Sequence, residues 1–254
     1  MAAQPYTIKL QDKTITLELT DLAEQANGSV LVRQGDTVIL VTAVSASSAF
    51  ANQGFFPLTV DYEERFYAAG KILGSRFVRR EGKPQDEAII TARLIDRAIR
   101  PLFPKGFRKE VQVIATCLSW DAENDSDVLG LLGASVALSI SDIPWSGPLG
   151  AVRICCPPTV DLPQGDKKEY AFVINPTYEQ RTQSSLDFVL AGVKEKGDIL
   201  LNMIEAEGQE VAEDVFEQAL EFAKPFLLQV IETQEEIVKK FGKEKAVLQE
   251  TPKD

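Results

Sequence analysis

Short β-prone runs separated by turn residues fill the first 62 residues, and they constrain the fold more than any other feature of the sequence. Gly35 and Asp36 form a turn signal between two of these runs, as in a hairpin. The runs occupy residues 6–10, 14–19, 29–34, 37–45 and 58–62. This pattern predicts a meander of antiparallel strands, followed by one further strand.

The best-marked helix covers residues 84–100. Pro84 suits the first helical position, where its missing N–H leaves no bond unmade. Asp86 and Glu87 favour the positive end of the helix dipole, and Pro101 stops the helix. The segment is therefore predicted to be a single helix that begins at Pro84.

Two stripes of side chains follow this helix. The first is apolar and should face a sheet: Ala88, Ala92, Ile95 and Ile99. The second is basic and lies on another face: Arg93, Arg97 and Arg100. Because Asp96 and Glu87 stand where they can pair with these arginines, internal pairing and ligand contact both remain open for the basic stripe.

The rest of the chain is predicted to contain strands, a buried helix and a long helical region. A strand over residues 111–117 and a helix of small residues over 128–140 precede a turn rich in proline and glycine. The strands that follow cover residues 149–155, 170–174, 186–191 and 199–204. A helical region over residues 208–241 completes the pattern.

Histidine is absent from the 254 residues, and its absence excludes several kinds of site. Ser-His-Asp and Cys-His nucleophiles, His-zinc sites and imidazole bases all require it. Three cysteines without a Cys-x-x-Cys spacing offer neither a disulfide framework nor a metal site. With no secretion signal and no apolar run long enough for a bilayer, the sequence predicts a cytoplasmic protein without a membrane partner.

Positive charge is concentrated in one segment of an otherwise acidic chain. The net charge is −11, yet residues 71–110 contain eleven Lys and Arg against five Asp and Glu. Within this segment, SRFVRREGKP places cations around a phenylalanine just ahead of the helix. Single-stranded RNA needs cations along its phosphates and a flat face for a base, although a salt-bridged surface loop has the same composition.

Alternating acidic residues over 121–127 suggest a calcium loop. Ser126 stands where such a loop needs glycine, and Leu132 stands where it needs a bidentate glutamate, so calcium binding is excluded. Capping of the following helix by Asn124 or Asp125 explains the composition better.

Longer stretches of the chain resemble a known family. They read FFPLTVDYEERFYAAGKILGSRFVRREGKPQDEAIITARLIDRAIRPLFPKGF, EVQVIAT and DVLGLLGASVALSISDIPWSGPLGAVR. In these sequence segments and in their order, the chain is similar to the first core domain of the bacterial polyribonucleotide nucleotidyltransferases. That family degrades RNA from its 3′ end with phosphate and releases nucleoside diphosphates.

The resemblance implies an α/β (α+β) fold of the RNase PH-like type, also called ribosomal protein S5 domain 2-like, with mixed sheets and packed helices. Residues 1–146 and 147–207 are the implied subdomains, and residues 208–254 are a C-terminal helical extension that begins the linker to a second core. The family places two cores in each chain and three chains around an RNA channel. Single-stranded RNA, a homotrimer and RNA-degradation complexes are the implied partners.

The family's channel loop usually reads Phe-Phe-Arg-Arg, and this chain matches it at three positions and departs from it at Val78. Lys83 stands where relatives commonly carry arginine, so the charge is kept and the bidentate fork is not. Together with the helix arginines, the candidate RNA-binding residues are Phe77, Arg79, Arg80, Lys83, Arg93 and Arg97.

The resemblance also predicts no catalytic residue and no metal ligand in this chain. Catalytic members carry a turn that grips phosphate and an aspartate cluster that holds magnesium. Four carboxylates that would repel phosphate take the first place: Asp121, Glu123, Asp125 and Asp127. At the second place the acids are Glu179 and Asp187. Magnesium and inorganic phosphate are therefore expected for the full-length enzyme, with the metal held outside this half.

The resulting prediction is the RNA-binding first core of a polyribonucleotide nucleotidyltransferase, an enzyme of mRNA degradation, with this half inactive alone. The alternative is a stand-alone, non-catalytic RNA-binding or ring-scaffold subunit of an exosome-like complex. A single-core RNase PH-type tRNA trimmer is disfavoured, because it needs the phosphate and metal groups that are missing here.

Overall fold

A six-stranded sheet forms the first part of the fold. The structure, a computed structural model, describes residues 5–49, 55–72, 74, 82–157 and 171–247. The strands are β1 (Tyr6–Leu10), β2 (Lys13–Glu18), β3 (Gly28–Gln34), β4 (Thr37–Ala49), β5 (Leu58–Glu63) and β6 (Lys109–Ser119). They lie in the order β1-β2-β3-β4-β6-β5.

The pairing of these strands is mostly antiparallel. β1 to β4 form the meander that the sequence predicts, and Gly35 joins β3 to β4 with a φ of 59°, a conformation that glycine adopts without strain. β5 differs, because it runs parallel to β6, with Leu58 opposite Val111. A parallel pair requires a long crossover connection, and the predicted helix lies in it.

A second sheet of four strands is antiparallel throughout. Its strands are β7 (Leu149–Cys156), β8 (Val173–Ile174), β9 (Leu186–Glu195) and β10 (Asp198–Gly208), in the order β10-β9-β7-β8. β8 is shorter than predicted, and β10 is longer and reaches Gly208. β7 is buried over its whole length, so it forms part of the core.

The described residues form the α-helices α1 (Asp86–Ile99), α2 (Asp127–Ile140), α3 (Tyr178–Thr182) and α4 (Glu213–Phe241), and α1, α2 and α4 pack against the sheets. α1 begins after Pro84, because Gln85 is still extended. The sequence does not predict the short α3, which begins with a capping box of Thr177 and Gln180. Two 3-10 helices cover Phe66–Ala69 and Arg100–Leu102. None of the helices in the described ranges is both long and apolar enough to cross a membrane.

α2 lies at the centre of the hydrophobic core. All of its residues are buried, and it packs against β3, β4 and β7. Gly133 permits this approach, since a Cβ there would lie 2.4 Å from Cγ2 of Val41. α1 packs against β5 and α2 through its predicted apolar stripe, in which Ala88, Ile95 and Ile99 are buried.

The segment after α4 is bound to the C-terminal end of α2. Nζ of Lys245 donates hydrogen bonds of 2.7 to 3.0 Å to three carbonyl oxygens there, those of Leu138, Ser139 and Ser141. Burial lowers the pKa of Lys245 to about 8. A cation at this end complements the helix dipole and satisfies carbonyl groups that the helix leaves unpaired.

Candidate nucleic-acid interface

The predicted RNA-binding residues belong to the loop before α1 and to α1 itself. Phe77, Arg79 and Arg80 lie outside the described residues, so their assignment stays a prediction. Lys83 precedes the helix and is exposed. Arg93 and Arg97 lie four residues apart on the exposed face of α1. The structure therefore places three of the six candidates, all beside the start or along the open face of one helix.

Two arginines of this helical face have acidic partners. Arg100 donates to both carboxylate oxygens of Asp96, at 2.6 and 2.9 Å. Arg97 forms an ion pair with Glu205 on β10. The pairing with Asp96 that the sequence left open is thus present for Arg100, whereas Arg97 pairs with a residue of a distant strand. Both ion pairs occupy part of the arginines' hydrogen-bonding capacity.

Arg93 and Lys83 have no such partners. Neither side chain forms an ion pair with any residue that the structure describes. Arg93 lines a groove of about 360 Å³ between α1 and β5, and Lys83 lines a cavity of about 700 Å³ beside the start of α1. Since no described residue takes up their donors, their charged groups are available to the phosphate oxygens of a ligand.

The larger cavity lies where β5, β6 and the start of α2 converge. Trp120 follows β6, and its ring stands edge to face with that of Tyr178, with the centroids 6.2 Å apart. The hydroxyl groups of Tyr62 and Ser126 form a hydrogen bond of 2.5 Å in the same wall. Burial raises the pKa of Tyr62, so its phenol is neutral.

A buried cluster of charges lies next to the start of α2. Arg153, in the middle of β7, donates to Oδ2 of Asp127 at 2.5 Å and to Oδ2 of Asp187 at 2.8 Å. Arg181 of α3 also donates to Oδ2 of Asp187, at 2.8 Å, and it pairs with Asp125. Two guanidinium groups therefore bind three carboxylates, and we call this set the arginine-aspartate cluster.

Burial controls the ionisation of the arginine-aspartate cluster. It raises the pKa of Asp127 to about 6, and the charge of Asp125 adds to this effect while Arg153 opposes it. Burial lowers the pKa of Arg153, but the neighbouring carboxylates, Asp127 foremost, outweigh burial and raise it. The guanidinium group consequently stays charged, as a buried cation surrounded by carboxylates should.

The acidic segment before α2, whose four carboxylates are expected from the sequence to repel phosphate, is largely engaged in internal contacts. Asp125 and Asp127 contact arginines, and Asp121 accepts the backbone N–H groups of Glu123 and Asn124 at 2.9 and 2.8 Å. Burial raises the pKa of Asp121, but bonds from Asn124 foremost outweigh it and lower the pKa to about 2. Arginines compensate the charges of Asp125 and Asp127, and hydrogen bonds from backbone N–H groups occupy Asp121. These are three of the four carboxylates that were expected to repel phosphate.

Asp187 and Glu179 do not form a metal site in the described structure. Oδ2 of Asp187 already accepts hydrogen bonds from two arginines, and Glu179 lies in the first turn of α3. Within the described ranges, no group of three or more His, Cys, Asp or Glu side chains stands close enough to hold a metal ion.

Sequence reasoning missed Arg153 and Arg181. For Arg153 a signal exists, because it is the charged residue inside the otherwise apolar strand LGAVRICC, and a buried charge needs a partner. Arg181 lies in a polar stretch, where nothing distinguishes it from a solvated side chain. Only the packing of α3 against the start of α2 brings it to Asp125.

The two sheets, the crossover helix α1 and the buried helix α2 define a 3′ exoribonuclease domain of the RNase PH type. The chain matches the 3′ exoribonuclease family, domain 1, over residues 11–144, and domain 2 of the same family over residues 165–224. It belongs to this family, and the predicted RNase PH-like fold is confirmed.

The relatives narrow the comparison to one group of enzymes. The polyribonucleotide nucleotidyltransferase of Thermus thermophilus is 49% identical over 243 residues, which make up 96% of this chain and 32% of that protein. The polyribonucleotide nucleotidyltransferase of Thermomicrobium roseum is 48% identical over 94% of this chain and 28% of that protein. The chain thus spans about a third of the length of these relatives, and the predicted resemblance is confirmed.

Solved structures agree on the fold. A chain of the Archaeoglobus fulgidus exosome with RNA bound to the active site has a TM-score of 0.55 and 18% identity, with 92% of this chain and 89% of that chain covered. Rrp46 of rice (Oryza sativa) has a TM-score of 0.61 and 12% identity, with 89% and 92% covered. Identities this low support a shared fold and nothing finer.

Proposed function

We propose that this chain is the RNA-binding first core of a polyribonucleotide nucleotidyltransferase, an enzyme that degrades RNA from its 3′ end by phosphorolysis and releases nucleoside diphosphates in mRNA degradation. The observation that carries the proposal is 49% identity over 96% of the chain to such an enzyme, of which only 32% is covered. This chain matches about a third of the longer relative, which is the length expected for one core domain of an enzyme that contains two such cores.

The chain's part in this function is to hold RNA. Arg93 and Lys83 offer cations without acidic partners in the described structure, on a helix face and beside its start. Phosphate contacts of this kind do not depend on the base sequence. We propose that Phe77, Arg79 and Arg80 add stacking and further phosphate contacts. Arg97 contributes less, because Glu205 already binds it.

Phosphorolysis by the full-length enzyme takes inorganic phosphate as its co-substrate and magnesium as its metal. The acidic residues that the structure describes do not fit a magnesium site, because that ion needs free oxygen ligands in near-octahedral geometry. In the arginine-aspartate cluster, guanidinium groups occupy Oδ2 of Asp127 and Oδ2 of Asp187, and the one buried oxygen of Asp187 that lacks a partner in the described structure, Oδ1, is too few for a magnesium site. We propose that the metal is held outside this chain.

We further propose a cytoplasmic homotrimer around single-stranded RNA, associated with other proteins of RNA degradation. Membership of the 3′ exoribonuclease family supports RNA as the partner. The trimer can be measured by light scattering on the full-length protein, where a mass of three chains is expected and a stable monomer contradicts the assembly.

Incubation of the purified 254-residue chain with labelled oligo(A), phosphate and magnesium tests the function. We expect fluorescence anisotropy to show RNA binding and chromatography to show no release of ADP. A reaction without phosphate and a mock purification control for contaminating nucleases. ADP release that requires both phosphate and magnesium contradicts the inactive assignment, and an absence of RNA binding contradicts the RNA-holding role.

A stand-alone, non-catalytic ring subunit is the second candidate. The observation in its favour is that two solved neighbours are covered over 89% and 92% of their own length, so folds of this size occur as whole chains. The reading frame beyond Asp254 separates the candidates. Continuation into a second core supports the enzyme, and a stop codon supports the ring subunit.

A further inference from the structure

The cavity beside the start of α1 has a size that RNA phosphate contacts alone do not explain. Its volume of about 700 Å³ falls within the range of small-molecule sites. Four aromatic residues are among those that line it: Tyr62, Phe66, Trp120 and Tyr178. Flat apolar walls around such a volume suit a planar heterocycle better than a bare ion.

Trp120 is the ring best placed to stack on a ligand. The residue is 38% exposed, and its backbone N–H donates to the carbonyl oxygen of Ala68 at 3.0 Å, which holds the backbone that carries the ring at the end of β6. Tyr178 supports it edge to face, at an interplanar angle of 66°. The guanidinium carbon of Arg181 lies 5.6 Å from the centroid of the Tyr178 ring, so that ring is itself held in place.

Polar groups of both signs line the same cavity. The side chains of Lys71 and Lys83 form no ion pair within the described part of the chain. The carboxylate of Glu64 accepts no hydrogen bond from the described residues, and burial, with the nearby charge of Glu87, raises its pKa. Because α1 begins with acidic residues, the lysines and not the helix amides are the groups available to an anion.

We propose that this cavity binds a purine nucleoside phosphate. The base stacks on Trp120, an N–H group of the base donates to Glu64, and Lys71 and Lys83 hold the phosphates. Binding of a free nucleotide goes beyond the proposed function and does not require the chain to take part in phosphorolysis. If the chain does take part in phosphorolysis, nucleoside diphosphates are the product of the reaction, and the site responds to their concentration. This consequence rests on the proposed function.

Calorimetry on the 254-residue chain tests the proposal with ADP, adenosine and inorganic phosphate as separate probes. We expect ADP to bind more tightly than either of its parts. Trp120→Leu should weaken ADP binding about fivefold or more, the loss expected for one stacked base. Lys71→Ala should weaken ADP binding and leave adenosine binding unchanged. Lys239→Ala, an exposed lysine on α4, is the matched control and should change neither affinity.

Tryptophan fluorescence locates the ligand independently of affinity. The chain has two tryptophans, and Trp145 is buried, with its Nε1–H bound to the carbonyl oxygen of Ile99 at 3.0 Å. ADP should therefore quench Trp120. Trp120→Phe keeps a flat ring in place, so this variant should still bind ADP in the calorimeter but lose the fluorescence change.

Three results overturn the proposal. The first is equal affinity for ADP and inorganic phosphate, which reduces the cavity to an anion site. The second is ADP binding that Trp120→Leu and Lys71→Ala both leave unchanged. The third is an absence of ADP binding to the wild-type chain. Loss of RNA binding with ADP binding intact contradicts the proposed function alone, so the two failures are distinguishable.

Discussion

Arg153 and Arg93 carry the same side chain in opposite settings. Arg153 lies in the middle of β7, is 8% exposed and contacts carboxylates of the arginine-aspartate cluster. Arg93 lies on the open face of α1 and forms no ion pair with the residues that the structure describes. A charge count along the sequence treats them alike. Burial makes the first a structural cation and leaves the second available to a ligand.

Two carboxylates of the acidic segment before α2 are also largely buried rather than open to a ligand. Asp125 and Asp127 contact Arg153 and Arg181. The charges that would repel phosphate are thereby compensated inside the fold. These ion pairs connect the start of α2 with β7 and α3.

The largest expected effect is on stability. Arg153→Met leaves the buried Asp127 without its arginine, while Arg181 still contacts the other two carboxylates of the cluster, so we expect the free energy of unfolding to fall by about 3–5 kcal/mol. Arg97→Met removes an exposed ion pair with Glu205 and should cost only about 0–1 kcal/mol. Urea denaturation at pH 7, followed by circular dichroism, measures both. Similar losses of unfolding free energy for the two variants would contradict the difference between a buried and an exposed arginine.

Acid should partly restore the Arg153→Met variant. In the wild type, Arg153 lowers the pKa of Asp127 and so opposes the effect of burial. Without Arg153, this pKa should rise further above the ordinary value of an aspartate. A carboxyl group with a raised pKa in the folded state contributes stability below that pKa and loses it as the pH rises through it. The difference from wild type should therefore be smaller at pH 5 than at pH 8. A difference that grows on acidification contradicts this assignment.

The next effect is on RNA binding. Replacing both Lys83 and Arg93 with alanine should weaken binding to any single-stranded sequence and reduce the salt dependence, by about 0.7 in the log–log slope for each lost phosphate contact. Arg97→Ala should change the slope less, because Glu205 competes for that side chain. Anisotropy of labelled oligo(A) over a series of KCl concentrations measures the slopes. An unchanged slope in the double variant reassigns these cations to the solvated surface.

Local patterns were sufficient to predict most elements. The hairpin turn at Gly35, the apolar stripe of α1 and the small residues of α2 each follow from periodicity or turn chemistry. The parallel pairing of β5 with β6 was not predictable in this way, because it depends on how the crossover returns the chain. The five residues of α3 are too few to show a helical period.

Contacts between distant segments account for what the sequence missed in the site. Arg153 and Asp127 are 26 positions apart, and Arg181 and Asp125 are 56 apart, so no local spacing relates them. The cavity likewise combines residues from β5, β6, α1 and α3. Clustered cations beside a helix show in the sequence itself, so the exposed positions of Lys83 and Arg93 could be expected, but their contact with RNA stays a prediction. Phe77, Arg79 and Arg80 stay predictions.

The smallest expected effect on stability concerns Asp121. This carboxylate extends the comparison of buried and exposed charges, because backbone N–H groups bind it and no arginine among the described residues does. Its oxygens accept N–H groups from Glu123, Asn124 and Thr37. Asp121→Asn removes the charge and turns one accepting oxygen into a donor, as protonation of the carboxylate also does, so we expect a loss of about 1 kcal/mol at pH 7, limited by solvent exposure. The measurement is urea denaturation of both proteins across the acid range.

The pH dependence identifies the cause of that loss. Because the pKa of Asp121 is lowered to about 2 in the folded protein, its contribution is complete above the ordinary pKa of an aspartate and disappears as the pH falls through about 2. The gap between wild type and Asp121→Asn should therefore be constant from pH 7 to 5 and close below pH 4. A gap that persists at pH 2 would instead mean that the shape of the side chain, and not its charge, stabilises the turn before α2.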